Sequence, residues 1–201
     1  MRINSKTSII LQRLALLTPL FLLPTLAQAH PNHGTATSWL GGLAHPLTGL
    51  DHLCAMIAVG LWAAQLGGRA RWVVPLTFVS VMTLGAIFGQ HGLALPFVEP
   101  GIIVSVLILG VIIAAALRLP LAASVTLVGA FALFHGYAHG AEMPMTASGF
   151  AYGAGFVATT ISLHLFGIGL GVVAQKLAIE KTVRYVGAII GGYGLYLALA
   201  L

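Results

Sequence analysis

The stretch Phe134-His135-Gly136-Tyr137-Ala138-His139-Gly140-Ala141-Glu142 combines the residue types that hold divalent metals. On a helix, His135 and His139 stand one turn apart and Glu142 follows three residues later on the same stripe, so two imidazoles and a carboxylate converge. Imidazole nitrogen with carboxylate oxygen suits nickel, cobalt, zinc and oxidised copper, and ligand type alone does not choose among them. A second group, His45, Asp51 and His52, stands at the start of another apolar run. Pro46 disfavours helix at His45 and Gly49 loosens the next turn, so His45 is expected to arrive from an extended or irregular first turn. Asp51 and His52 then point about 100° apart. Asp51 can fix the tautomer of an imidazole while His52 coordinates the ion. The bland alternative for all six residues is a polar helix end that hydrogen-bonds its neighbours.

The elements that must position these groups are membrane helices. Charged residues are 6% of the chain and apolar residues 59%, against about 25% charged in soluble domains, so no water-soluble surface can be assembled. The formal charge of +5 is scattered singly or in twos and threes between apolar runs, which is topology signalling and excludes a nucleic-acid patch. One cysteine, Cys54, excludes an internal disulfide framework. Six apolar segments, near 47–66, 72–90, 100–117, 121–140, 149–173 and 185–201, each approach the ~20 residues that cross a bilayer. The expected fold is an all-α integral membrane protein, a six-helix bundle over residues 47–201.

Residues 1–29 read as a cleaved signal peptide: Arg2, Lys6 and Arg13 lead a short apolar core, and Ala27-Gln28-Ala29 offers the cleavage site. Residues 30–46 then form a short exported tail, in which His30 and His33 are further metal candidates. Arg69, Arg71, Arg118, Lys176, Lys181 and Arg184 all fall between segments on one side, whereas the opposite connections hold Glu99 and Glu142 and no Lys or Arg. Basic residues collect on the cytoplasmic side, so both mature termini are expected outside. His45, Asp51, His52, His91, His135, His139 and Glu142 then share the outer side. His164 lies deeper, as either a relay ligand or a packing residue. Cys54, Met56, Met143 and Met145 would favour reduced copper as sulfur ligands, though such residues more often fill packing gaps. A weaker recurrence, Gly-Ala six residues before His91, His135 and Tyr193, would place those three at equivalent depth if it marks a duplicated two-helix unit.

On these residues the chain resembles the HupE/UreJ family of bacterial nickel and cobalt permeases, associated with hydrogenase and urease maturation. The likeness spans essentially the whole chain: the signal, the His-starting mature end, six helices, His45-Pro46 followed by Asp51-His52, and the Phe134 to Glu142 stretch. It implies a multi-pass protein of the bacterial inner membrane with a periplasmic N-terminus. His45, Asp51, His52, His135, His139 and Glu142 carry over as residues implicated in metal uptake, with Ni2+ or Co2+ as cargo and no permanently bound cofactor. The implied partners are the divalent ion and the bilayer, with a homo-oligomer left open.

Two other readings of the residues stand beside a transporter. A membrane-embedded zinc hydrolase would use the same cluster, with Glu142 or Asp51 activating water. A haem-binding electron carrier would need axial histidines deep in facing helices, and the clustering at one edge argues against it. For a transporter, metal binding needs neutral imidazole and ionised carboxylate, so uptake should fall below about pH 6.

Overall fold

A computed structural model describes residues 39–143 and 147–201. The signal segment, His30, His33 and Met145 lie outside the described residues. The described chain is wholly helical: α1 (Trp39–Ala44), a 3-10 turn (His45–Leu47), α2 (Leu50–Leu66), α3 (Ala70–Gln90), α4 (Val98–Ala115), α5 (Leu121–Glu142), α6 (Ala147–Lys176) and α7 (Glu180–Ala200).

Five of these helices, α3 to α7, are long and apolar enough to cross a membrane. At 17 residues, α2 reaches about 25 Å, short of a hydrocarbon core of about 30 Å. It meets the same criterion only together with the preceding α1 and 3-10 segment, from which it is bent by 83°. Pro46 lies in that 3-10 turn, and Gly49 is extended at φ −97° and ψ 116°. The irregular turn expected at His45 is therefore present, but it is not an extended lead-in. Residues 39–44, read from sequence as part of a polar tail, are helical and packed. Gly42 meets the Tyr152 backbone and Gly155 meets that of Trp39, while Thr159 Oγ1 donates to Leu43 O at 2.8 Å. Contacts with α6 thus override the poor helix propensity of Gly41-Gly42. Charged Glu180, Lys181 and Arg184 hid the first turn of α7, which begins five residues before the apolar segment.

Three pairs dominate the packing: α3 with α5, α4 with α7, and α2 with α6. Glycine closes each seam. A Cβ on Gly136 or Gly140 would collide with the backbone carbonyl of Met82 or Ala86, so α5 lies backbone to backbone on α3, as small residues permit in membranes. Gly60 and Gly167 do the same between α2 and α6, and Gly110 between α4 and α7. The core between the seams holds Met56, Leu61, Trp62, Phe78, Met82, Leu109 and Ile113, all with at most 1% of their surface exposed.

At the end of the bundle where α2 finishes, polar side chains cap backbone carbonyls. Trp62 Nε1 donates to Leu117 O at 3.0 Å and Gln65 Nε2 to Ile113 O at 3.2 Å. Gln175 Nε2 donates to Ala64 O at 2.8 Å, and Arg184 Nε to Ala114 O at 2.8 Å. The last carbonyls of a helix lack partners within it, and α4 finds them on α2 and α7. Gly67 and Gly68, at φ +71° and +48°, make the tight return from α2 to α3 that only glycine adopts freely. The glycine seams thereby lift the start of α2 and the end of α5 to one level at the opposite end.

Candidate metal centre

The opposite end holds a hollow of about 280 Å3 lined by His45, Thr48, Gly49, Asp51, His52, Glu99, Ile102, Ala138, His139 and Glu142. Three carboxylates and three imidazoles border it. Within it, one ligand atom each from His45, His139 and Glu142 lie within 4.8 Å of one another. His45 Nε2 and Glu142 Oε2 stand 3.8 Å apart, too far for a direct hydrogen bond. The group is graded in exposure: the Glu142 side chain is 69% accessible and that of His45 34%, while His139 is buried.

A second level lies beneath. The His52 ring packs edge-on to His139 at 4.2 Å between centroids and to His135 at 4.7 Å. Asp51 Oδ1 accepts from the His52 backbone amide at 2.8 Å and lies 3.0 Å from His52 Nδ1. An ionised carboxylate only accepts, so it holds the imidazole proton on Nδ1 and leaves Nε2 bare. The stripe of α5 thus spans both levels: Glu142 and His139 lie with His45, His139 also meets His52, and His135 meets His52 alone of these.

His52 Nε2, His135 Nδ1 and both nitrogens of His139 are buried without a hydrogen-bond partner among the described residues. A buried polar atom left unpaired costs about 1–3 kcal/mol, and three such imidazoles in contact are a poor structural device. A cation offered these lone pairs relieves that cost.

Glu99, in the first turn of α4, was read from sequence only as a topology marker, yet it lines the hollow. Ser105 joins the site without a sequence signal: it is fully buried and its Oγ lies 2.8 Å from His135 Nε2. A serine inside an apolar helix carries no signal of its partner 30 positions away. The signal for Glu99 is in the sequence itself: a carboxylate at the mouth of a helix on the histidine side.

Of the further candidates, His91 is the exposed C-cap of α3 and does not line the hollow. The Gly-Ala recurrence would place it level with His135, but Gly85 of α3 already packs beside Leu133 and Tyr137 of α5, so His91 lies beyond that level. His164 is buried, and both its nitrogens are unpaired among the described residues, so no packing hydrogen bond explains it there. It meets the Phe78 ring edge-on at 5.1 Å, and the same ring lies 5.8 Å from His135. Met56 belongs to the core and Cys54 packs against it; neither lines the hollow.

Fold and site together define a multi-pass helical membrane protein with an imidazole and carboxylate hollow at one end. Residues 18–197 match the family described as HupE / UreJ protein, and the chain belongs to that family. It is 44% identical over 171 residues to Protein HupE of Rhizobium leguminosarum bv. viciae, covering 85% of this chain and 86% of that protein. No solved structure matches the chain.

Proposed function

We propose that this protein takes up a divalent transition metal, nickel first and cobalt second, across the bacterial inner membrane for hydrogenase or urease maturation. The observation that carries the reading is His139: both ring nitrogens are buried and unpaired among the described residues, within reach of His45 and Glu142 and beside His52. Glu99, Asp51 and Glu142 give the hollow its affinity for cations. The hydrated ion sheds water to His45, His139 and Glu142, then exchanges toward the bare nitrogens of His52 and His135. His139 belongs to both levels and hands the ion across. Six spans, with the bent α1–α2 pair as the first and both mature termini outside, follow from basic residues collecting at the turns of the other end. The cleaved signal peptide and the exported tail belong to the same reading, with His30 and His33 as a first, loose capture point.

The competing zinc hydrolase would use Asp51 or Glu142 to activate water. Asp51 Oδ1 is committed to His52 by two contacts, which disfavours it as that base.

Uptake of radioactive nickel by cells expressing the chain tests the proposal, with His52→Ala and His139→Ala variants of equal abundance. Loss of a coordinating imidazole should lower uptake at limiting nickel by at least about 10-fold, as loss of supporting groups already does at metal sites. His139→Ala should be the more severe. Uptake unaffected by both substitutions rules the site out, and competition by cobalt, copper and zinc orders its selectivity.

A further inference from the structure

The geometry points to Ser105 as a positioning residue that sets the tautomer of His135 and keeps Nδ1 bare toward the transported cation. This inference rests on the uptake reading above and adds a residue to it. Ser105 lies on α4, and His135 reaches it from α5. Ser105 Oγ is 2.6 Å from Ile102 O and 2.8 Å from His135 Nε2. The hydroxyl has one proton, and a carbonyl oxygen can only accept. Were the proton directed at the imidazole, two oxygen lone pairs would face each other across 2.6 Å. The proton therefore goes to Ile102 O, and Ser105 Oγ accepts from His135 Nε2–H. A neutral imidazole carries one N–H, so the lone pair resides on Nδ1, the atom that is buried and unpaired among the described residues.

Three other hydroxyls in the bundle donate to a carbonyl in their own helix, Thr77 to Val73 O, Thr83 to Val79 O and Ser162 to Ala158 O, while Thr159 and Thr160 reach a neighbouring helix only at a backbone carbonyl and a thioether. Such bonds are a common way for serine and threonine to sit in helices. Ser105 differs because its oxygen also takes an imidazole from a neighbouring helix. The arrangement complements that of His52, where Asp51 holds the proton on Nδ1 and bares Nε2. Each ring of the deeper level thus has one nitrogen fixed by a neighbour and the other free. The two rings meet at 84° between planes.

The test is nitrogen-15 magnetic resonance of histidine-labelled full-length protein in nanodiscs, metal-free, at about pH 8 where imidazole is neutral. The His135 signals are assigned by their loss in His135→Ala. Wild type is expected to carry the His135 proton on Nε2, and Ser105→Ala to move part or all of the population to Nδ1–H. In parallel, nickel uptake by Ser105→Ala should show an apparent affinity about 10- to 100-fold weaker, the usual scale for groups that orient metal ligands. Its maximal rate should change little, and Ser105→Thr should restore most of the affinity. Ser105→Cys, close in volume and a weaker acceptor, replaces the alanine variant if that does not fold. A wild-type proton on Nδ1, a tautomer unmoved by either substitution, or a moved tautomer with unaltered nickel affinity overturns the inference. Wild-type protein that neither binds nor carries nickel or cobalt sinks the uptake reading and with it the cation role of Nδ1, while the resonance arm still decides whether Ser105 sets the tautomer.

Discussion

At the end where α2 finishes, Trp62, Gln65, Gln175 and Arg184 each donate to a backbone carbonyl. At the other end, His52, His135 and His139 together leave four buried ring nitrogens unpaired among the described residues. Both ends belong to the same glycine-closed bundle, so the contrast is not one of packing quality. Polar side chains at the first end complete the backbone, with Gln65 Oε1 and Arg71 Nε left unpaired among the described residues, whereas at the second the unpaired atoms are imidazole nitrogens gathered at and beneath one hollow. Even there, Asp51 and Ser105 are satisfied; what they leave free is the far nitrogen of the ring they hold.

The contrast can be broken outright from the seam beneath both ends. In Gly136→Leu the new side chain meets the Met82 carbonyl on α3, backbone that cannot swing aside. The cost should reach or exceed the about 1–3 kcal/mol typical of overpacking. Folded protein, assayed by size exclusion and thermal unfolding in detergent, should be lost together with uptake. A milder change separates the ends. Asp51→Asn keeps an acceptor for His52 Nδ1–H but removes the charge, and should weaken nickel affinity by about 10-fold with little change in melting temperature. Trp62→Phe should do the reverse, lowering stability by about 1 kcal/mol through the lost bond to Leu117 O while leaving uptake unchanged. The smallest effect belongs to His91→Ala, which should leave both uptake and melting within error, because His91 is exposed and outside the hollow.

Much of this was legible in the sequence where the signal is periodic. His135, His139 and Glu142 declared a helical face, the apolar lengths declared the five long helices α3 to α7, and Pro46 with Gly49 declared the break at His45. What sequence could not show was how the face divides. His135 meets His52 and Ser105, while His139 meets His52 as well as His45 and lies near Glu142, a matter of tertiary packing alone. The helix Trp39–Ala44 was hidden for the same reason: its stability comes from α6, more than 100 positions away. Glu99 sat in plain view but was read by its charge sign only, and its place on the hollow depends on where α4 starts.

The break at Gly49 also decides the electric field inside the hollow. It makes Leu50 the start of a new helix whose N-cap makes no side-chain hydrogen bond, so the positive end of the α2 macrodipole opens on the site. That end carries roughly half an elementary charge and opposes a cation. Asp51 stands in this first turn and takes the His52 amide, offsetting the opposition with a full negative charge. Across the hollow, α5 ends at Glu142 and presents its negative pole. The backbone thus polarises the hollow from the α5 wall toward the α2 wall, and the Asp51 carboxylate in the first turn of α2 flattens that gradient.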